Sequence, residues 1–302
     1  MTSTGIRHAR TSTLRSEDGT VIAYHSLGNG PGLVVVGGTL LAGSDYMALA
    51  AALAGEFKVH VMERRGRPGS GPQRQDHSLD DECADLAAVA TTTGSAAAFG
   101  HSFGGLVVLE TTRRQSVIDE VFVYEPGVPI RGQLRTDWLG DYQRRLERGD
   151  RRGAFASMAK GAGFAPKAVE VMPVWFMRLA LRIAIRGQKW ATMDQLLDAN
   201  LVEHRLLAGL DAPSPERFST VTSRTVLIGG AKSPDSISGP LLQEIAAAIP
   251  SSEVLMLPGL GHLAPQEQPD RVASAVLDHR AHLRSDERRP ADPKIGSTGA
   301  TW

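Results

Sequence analysis

A serine stands at the centre of a glycine-rich pentapeptide, Gly100-His101-Ser102-Phe103-Gly104. The apolar run 95–99 before it predicts a strand, and Leu106-Val107-Val108-Leu109 after it begins a predicted helix. In a G-x-S-x-G segment between a strand and a helix, the glycines permit a sharp turn, because a side chain there would collide with the adjoining elements. Such a turn holds the serine hydroxyl out at the carboxyl edge of a sheet, where it can act as a nucleophile.

Short apolar strands alternate with helices on both sides of this pentapeptide. Strands are predicted at 11–15, 20–27, 33–36, 58–62, 95–99, 120–124, 224–228 and 252–257, and helices at 44–53, 79–92, 239–248 and 269–282. An Asp-Gly turn predicts a hairpin between the first two strands. The alternation elsewhere is typical of parallel βαβ units with helices on both faces of the sheet, so the predicted class is α/β.

The alternation stops after Glu125. Between residues 127 and 220 no strand pattern is found, and helices are expected at 133–148, 153–160, 166–186 and 189–207. We therefore predict a core of residues 10–126 and 221–282, with a helical segment, 127–220, inserted after the sixth strand. The charged residues 283–302 are expected to form a solvated, disordered tail.

The serine pentapeptide, the strand–helix alternation and a Gly261-His262 pair after the last strand resemble the α/β-hydrolase superfamily over roughly residues 10–282. The resemblance implies a mostly parallel eight-stranded sheet with helices on both faces, and it identifies 127–220 as a lid. It also implies that Ser102 is the nucleophile and His262 its base, because a serine hydroxyl attacks poorly until a histidine takes its proton. A serine here argues against the dehalogenases and epoxide hydrolases of this fold, which use aspartate.

Two carboxylates are candidates to orient His262. Most members of the superfamily place the acid after the seventh strand, but Ser233 stands at that position here and Asp235 follows two residues later. Glu125 ends the sixth strand, where haloalkane dehalogenases and fungal zearalenone lactonases also carry a glutamate. A carboxylate ending an apolar strand is buried, and buried charges are rarely unpaired, so an arginine is its alternative partner. We predict Glu125 as the acid and keep Asp235 as the alternative.

Two backbone N–H groups are expected to form an oxyanion hole for the charge that develops on a substrate carbonyl. The N–H of Phe103 follows the serine directly. By resemblance, the second donor maps to Thr39 in Gly37-Gly38-Thr39, where relatives carry His-Gly-x, and the Thr39 hydroxyl is a further donor. Residues 64–70 resemble the Arg-Gly-x-Gly-x-Ser loop of the superfamily and are expected to support the site structurally.

Aromatic and apolar residues of the inserted segment are expected to line a pocket above the serine. The candidate substrate contacts are Gly38, His101, Trp138, Met172, Trp175 and Phe176. The segment 166–186 also places Val169, Leu179 and Ile183 at helical spacing, with arginines on the opposite face. We interpret it as a lid helix, and binding to a membrane surface is the alternative.

Composition narrows the function classes. The 302 residues include 33 basic and 33 acidic side chains, and this balance argues against a nucleic-acid partner. No run of about 18 apolar residues and no secretory signal is found, so we expect a cytoplasmic protein without a membrane partner.

The high share of Arg, Ala and Gly suggests a bacterial, high-GC source. We expect no cofactor and no metal, and either a monomer or a homodimer.

The sequence therefore predicts a serine esterase or lactonase that acts on a medium-sized hydrophobic ester through an acyl-enzyme. Within enzymes, the alternative is a C–C bond hydrolase or a cofactor-free perhydrolase with the same triad. From another class, the alternative is a non-catalytic ligand-binding protein of this fold. The full set of serine, histidine and acid argues against that last reading, because binding alone requires none of them.

Overall fold

The structure, a computed structural model, describes residues 9–130, 135–162, 171–210 and 214–287. One sheet has the strand order β1-β2-β4-β3-β5-β6-β7-β8. Its strands are β1 (Arg10–Arg15), β2 (Val21–Leu27), β3 (Gly32–Val36), β4 (Lys58–Met62), β5 (Ser95–His101), β6 (Glu120–Tyr124), β7 (Arg224–Gly230) and β8 (Ser252–Leu257). β2 runs antiparallel to both β1 and β4, and the other neighbouring strands are parallel. The predicted α/β class with an eight-stranded, mostly parallel sheet is confirmed.

The α-helices of the described residues fall into two groups. Those of the core are α1 (Met47–Leu53), α2 (Leu79–Thr93), α3 (Phe103–Arg114), α9 (Pro240–Ala248), α10 (Ala264–Glu267) and α11 (Pro269–Glu287). Those between β6 and β7 are α4 (Leu139–Glu147), α5 (Arg151–Gly161), α6 (Val174–Ala184), α7 (Gly187–Gln195) and α8 (Leu197–Gly209). Short 3-10 turns cover Gly43–Tyr46 and Pro215–Thr220.

Each face of the sheet buries its own apolar layer, as the alternation of side chains along a strand requires. In β3, Val34 and Val36 join the layer beneath α2 and α3, whereas Leu33 and Val35 join the layer beneath α1 and α11. Both layers are fully buried around the central strands, and this burial supplies the main driving force for folding. The sheet is thus a rigid base for residues at the carboxyl ends of its parallel strands.

The segment between β6 and β7, which we call the insertion (127–220), contains helices and turns but no strand in the part that the structure describes. It has its own apolar cluster around Trp138, Tyr142, Ala154 and Leu197. The helix predicted at 189–207 is two helices, α7 and α8, which meet at Leu196.

Other helix limits also differ from the prediction. The helix predicted at 166–186 is α6, and residues 163–170, including Val169, lie outside the described residues. The last helix, α11, continues to Glu287, which makes the first residues of the predicted tail helical. Residues 288–302 lie outside the described range. Among the described residues, no helix combines the length and the apolar composition needed to span a membrane.

Candidate active site

Ser102 occupies a strained turn between β5 and α3. Its φ of 53° and ψ of −121° are unfavourable for a residue with a side chain, and such strain persists only where the surrounding contacts impose it. The Ser102 N–H donates to the Tyr124 carbonyl at 3.1 Å, and the Ser102 carbonyl accepts from the N–H groups of Gly105 and Gly127 at 2.9 and 2.8 Å. Hydrogen bonds to Tyr124, the last residue of β6, and to Gly127 therefore hold the turn at both the N–H and the carbonyl of Ser102.

Close backbone contacts explain the glycines around this serine. A Cβ atom at Gly104 would lie 2.2 Å from the Val36 carbonyl oxygen, and one at Gly100 would lie 2.6 Å from the Gly104 carbonyl oxygen. Both distances are shorter than any tolerated contact, and the atoms met are backbone atoms that cannot rotate away. The glycines thus allow α3 to pack closely against β3 and β5.

Glu125 and His262 are in direct contact at the same edge of the sheet. The Nδ1 atom of His262 lies 2.7 Å from Oε2 of Glu125, and the backbone N–H of Gly230 donates to Oε1 at 2.7 Å. Glu125 is 1% exposed, while the His262 side chain keeps 19% of its surface accessible. Both oxygens of the buried carboxylate are therefore satisfied, and its orientation is fixed by a backbone donor on β7.

The alternative acid lies elsewhere. Asp235 is exposed, in the turn before α9. Glu125 reaches His262 because it follows β6 directly, with a φ of 43° that turns its side chain at the end of the strand. Its N–H also donates to the Ile228 carbonyl of β7 at 2.9 Å. Of the two carboxylates considered from the sequence, the structure brings Glu125 to the histidine.

His101 is buried beneath the site rather than open to a ligand. It is 1% exposed, its Nε2 lies 2.9 Å from the His262 carbonyl oxygen, and its Nδ1 lies 2.7 Å from the Tyr46 hydroxyl. Burial, followed by the charge of His262, holds the pKa of His101 well below its usual value, so the ring stays neutral. Because a carbonyl only accepts, Nε2 carries the proton and Nδ1 accepts from Tyr46. His101 therefore positions the His262 loop, which corrects its assignment as a direct substrate contact.

The turn after β3 abuts the serine. A Cβ atom on Gly38 would lie 3.1 Å from Cβ of Ser102, and the Gly38 N–H already donates to the Tyr46 hydroxyl at 2.8 Å. Thr39 follows directly and is partly exposed. On the other side, Phe103 is the first residue of α3, so its N–H has no acceptor within the helix. Gly38 thus lies against Ser102, and the two residues predicted as oxyanion donors are Thr39, which follows Gly38, and Phe103, which follows the serine.

A buried group of charges beneath this turn was not identified from the sequence. Arg64 donates to the carbonyls of Gly37 and Gly38, both at 2.9 Å, and Arg67 donates to the Gly38 carbonyl at 3.3 Å. Both arginines also bind Glu203, which belongs to α8 of the insertion. The sequence predicts structural support from the loop 64–70 but not its contact with Glu203, because no local pattern connects residues so far apart in the chain.

The aromatic residues of the insertion divide into two sets. Trp138 is 5% exposed and packs edge-on against Tyr142 and His204, so it belongs to the core of the insertion and not to an open pocket wall. Trp175 and Phe176, on α6, are 68% and 43% exposed, and Met172 just before α6 is partly exposed. Within the described residues, no group of His, Cys, Asp and Glu side chains is arranged to hold a metal ion.

Comparison with known proteins agrees with this architecture. The chain resembles an alpha/beta hydrolase from Sphaerobacter thermophilus DSM 20745, with 27% identity and a TM-score of 0.74 over 88% of this chain and 99% of the other. A thermophilic esterase from Thermogutta terrifontis has 22% identity and a TM-score of 0.67, covering 92% and 99%. A bromoperoxidase from Bacillus anthracis has 18% identity and a TM-score of 0.68, covering 89% and 100%.

At such low identity, the latter two show the fold and not the reaction. No curated protein matches the chain in sequence. The model of the alpha/beta hydrolase family matches residues 21–275, which contain the serine turn, Glu125 and His262. The chain belongs to the alpha/beta hydrolase family.

Proposed function

We propose that this protein is a serine hydrolase that cleaves a carboxylic ester or lactone through an acyl-enzyme. The observation that carries the proposal is the contact between His262 Nδ1 and Glu125 Oε2, 2.7 Å, at the same edge of the sheet as the strained Ser102. A carboxylate at Nδ1 holds the imidazole in the tautomer whose Nε2 accepts a proton. This arrangement activates a serine and is not required for binding alone.

In the proposed reaction, the Ser102 hydroxyl oxygen attacks the carbonyl carbon and its proton passes to Nε2 of His262. The oxygen of the tetrahedral intermediate takes the negative charge and accepts hydrogen bonds from the N–H groups of Phe103 and Thr39. Collapse breaks the bond to the alcohol, which leaves with the proton from His262. Water then attacks the acyl-enzyme by the same steps and releases the acid, restoring the Ser102 hydroxyl. Glu125 stabilises the imidazolium in both halves of the cycle.

The insertion supports a hydrophobic substrate of medium size. Trp175 and Phe176 of α6 expose large aromatic surfaces, and Met172 stands beside them. Thioether and aromatic side chains adapt to apolar groups of different shape. The esterase among the structural neighbours is consistent with ester chemistry. We propose that α6 and the residues before it contact the acyl or alcohol chain.

A panel of p-nitrophenyl esters with acyl chains of increasing length tests the proposal. The wild-type protein should release nitrophenol, and Ser102→Ala should lose this activity by several orders of magnitude. A fluorophosphonate should label Ser102 in the wild type, as mass spectrometry of the peptides will show. Ser236→Ala, at an exposed position, is the matched control and should label and turn over normally. Labelling at another serine, or full activity of Ser102→Ala, would remove Ser102 from the mechanism.

A further inference from the structure

The Gly38–Thr39 peptide is held by charges on the side away from the solvent. The Gly38 carbonyl accepts from Nη2 of Arg64 at 2.9 Å and from Nη2 of Arg67 at 3.3 Å. No cis peptide bond occurs in the described residues, so the Thr39 N–H points opposite to this carbonyl. The arginines therefore determine the direction in which the Thr39 N–H is presented.

The two arginines depend on a carboxylate from the insertion. Glu203 of α8 is fully buried and accepts from Arg64 Nη1 at 2.9 Å, from Arg67 through both of its oxygens, and from Gln73 at 3.2 Å. Burial alone would raise the pKa of Glu203, but the charges of Arg64 and Arg67 outweigh it, so its pKa lies below the usual value. Glu203 is thus a carboxylate, and together with Glu82, the other buried partner of Arg64, it balances the two guanidinium charges.

Stability gives little reason for such a group of charges. The desolvation of buried ions is unfavourable, and proteins in which apolar side chains of similar volume replace a buried ion pair are often equally stable. The arginines, however, also donate to backbone carbonyls of the turn, Arg64 to Gly37 and Gly38 and Arg67 to Gly38. The Arg64 guanidinium also lies 4.7 Å from the ring centre of Phe103. Both arginines therefore bind the carbonyl of the Gly38–Thr39 peptide, and Arg64 also contacts the ring of Phe103, the residue of the other proposed donor.

Besides the link through Glu203, the insertion also contacts the turn after β3 at Leu40. Leu40 adopts a positive φ of 54°, which is strained for a side chain of its size, and it packs against the insertion cluster around Trp138 and Leu197. The turn is therefore fixed from the insertion at Leu40 and, through the arginines, at the Gly38 carbonyl.

We propose that Glu203 is a positioning residue for the reaction: through Arg64 and Arg67 it holds the Gly38 carbonyl and so aims the Thr39 N–H at the substrate oxygen. The inference rests on the proposed serine-hydrolase function and assigns a catalytic contribution to the insertion helix α8. The guanidinium charges on the carbonyl also polarise the peptide and strengthen its N–H as a donor.

The test compares Glu203→Gln with Asp85→Asn. Asp85 is equally buried and binds Arg65, the neighbour of Arg64, at 2.7 and 2.8 Å, so it matches Glu203 as one half of a buried ion pair. The Arg65 side chain donates to carboxylates and not to the carbonyls of Gly37 or Gly38, which accept from Arg64 and Arg67. Both variants should lower the melting temperature. Only Glu203→Gln should lower kcat, by about 10–100-fold with KM nearly unchanged, since removal of one oxyanion donor costs about 10²–10³-fold.

A transition-state analogue separates positioning from a general loss of structure. A trifluoromethyl ketone forms a tetrahedral adduct with a charged oxygen, so its Ki should rise in Glu203→Gln by the same factor as kcat falls. The Ki of the uncharged alcohol product should stay within about 2-fold in both variants. A crystal structure of Glu203→Gln should show the Gly38 carbonyl turned away from Arg67.

The possible outcomes decide between the proposals. Unchanged kcat, Ki and peptide orientation in Glu203→Gln would overturn the positioning role while leaving the proposed function intact. An equal loss of kcat in Asp85→Asn would also overturn it, because the effect would then follow from any broken ion pair. Full activity of Ser102→Ala would instead refute the proposed function. If Glu203→Gln does not fold, Arg67→Lys replaces it: the lysine keeps the charge but loses the planar donor set that links Glu203 to the Gly38 carbonyl, so kcat should fall by about 3–10-fold. An unchanged kcat in Arg67→Lys would overturn the positioning role.

Discussion

Replacement of Glu125 by glutamine tests the role of its charge with almost no change of shape. Oε1 of Glu125 accepts from the Gly230 N–H at 2.7 Å, so the amide oxygen of the glutamine must occupy that position. The amide NH₂ group then faces His262 Nδ1, where Oε2 stood at 2.7 Å. The opposite orientation would set the NH₂ group against the Gly230 N–H in a site that is 1% exposed. Two buried donors facing each other are not tolerated.

The forced orientation gives the histidine the wrong tautomer. With an amide donor at Nδ1, that nitrogen must accept, so Nε2 carries the proton and cannot take one from Ser102. We expect kcat for a p-nitrophenyl ester to fall by about 10²–10⁴-fold, equivalent to about 2.7–5.4 kcal/mol of transition-state stabilisation. KM should change little, since Glu125 is buried away from bound substrate.

The control for Glu125→Gln is Asp235→Asn, which removes the other candidate carboxylate from an exposed turn. It should keep kcat within about 2-fold, because exposed substitutions away from the site have small effects. Steady-state kinetics and the rate of fluorophosphonate labelling measure both variants. A Glu125→Gln enzyme with nearly normal kcat would refute the reasoning, and so would an inactive Asp235→Asn enzyme beside it.

Two further predictions concern buried histidines. His101→Leu leaves the Tyr46 hydroxyl and the His262 carbonyl without their shared partner, so the free energy of unfolding in urea should fall by roughly 2–6 kcal/mol, and a loss under about 0.5 kcal/mol would contradict the contacts. Burial, followed by the charge of Lys58, lowers the pKa of His60 to about 4, so its neutral form is favoured in the folded protein. Above the unfolded pKa of about 6.5 both states hold His60 neutral, and its protonation does not affect stability. As the pH falls from about 6.5 toward 4, the unfolded state binds the proton first, so the free energy of unfolding falls by about 1.4 kcal/mol per pH unit. His60→Gln should therefore reduce the loss of stability between pH 6 and pH 5 by about 1 kcal/mol, and equal losses in both proteins would contradict it.

Local sequence was sufficient for the sheet and for the serine turn. The runs 33–36 and 121–124 are short and carry no charged residue, and such runs are typical of strands at the centre of a parallel sheet. The glycines at 100 and 104 are dictated by close backbone contacts within one strand–turn–helix unit. Patterns of this kind can be read because the residues that impose them are neighbours in the chain.

The insertion was harder to predict because its helices pack mainly on one another. One continuous pattern at 189–207 conceals a break at Leu196, which propensity alone does not mark. Burial of Trp138 and exposure of Trp175 likewise depend on which face each helix turns toward the core. Aromatic content alone predicted the same role for both.

The sequence by itself determined which residues stand at the ends of β5, β6 and β8, and therefore placed Ser102, Glu125 and His262 at one edge of the sheet. The tertiary structure decided which carboxylate reaches His262, because that contact joins residues 137 positions apart. It also decided that Glu203 lies beneath the turn at Gly38, through Arg64, 139 positions away. Contacts of this separation follow from the packing of whole elements against each other, and no local pattern of residues records them.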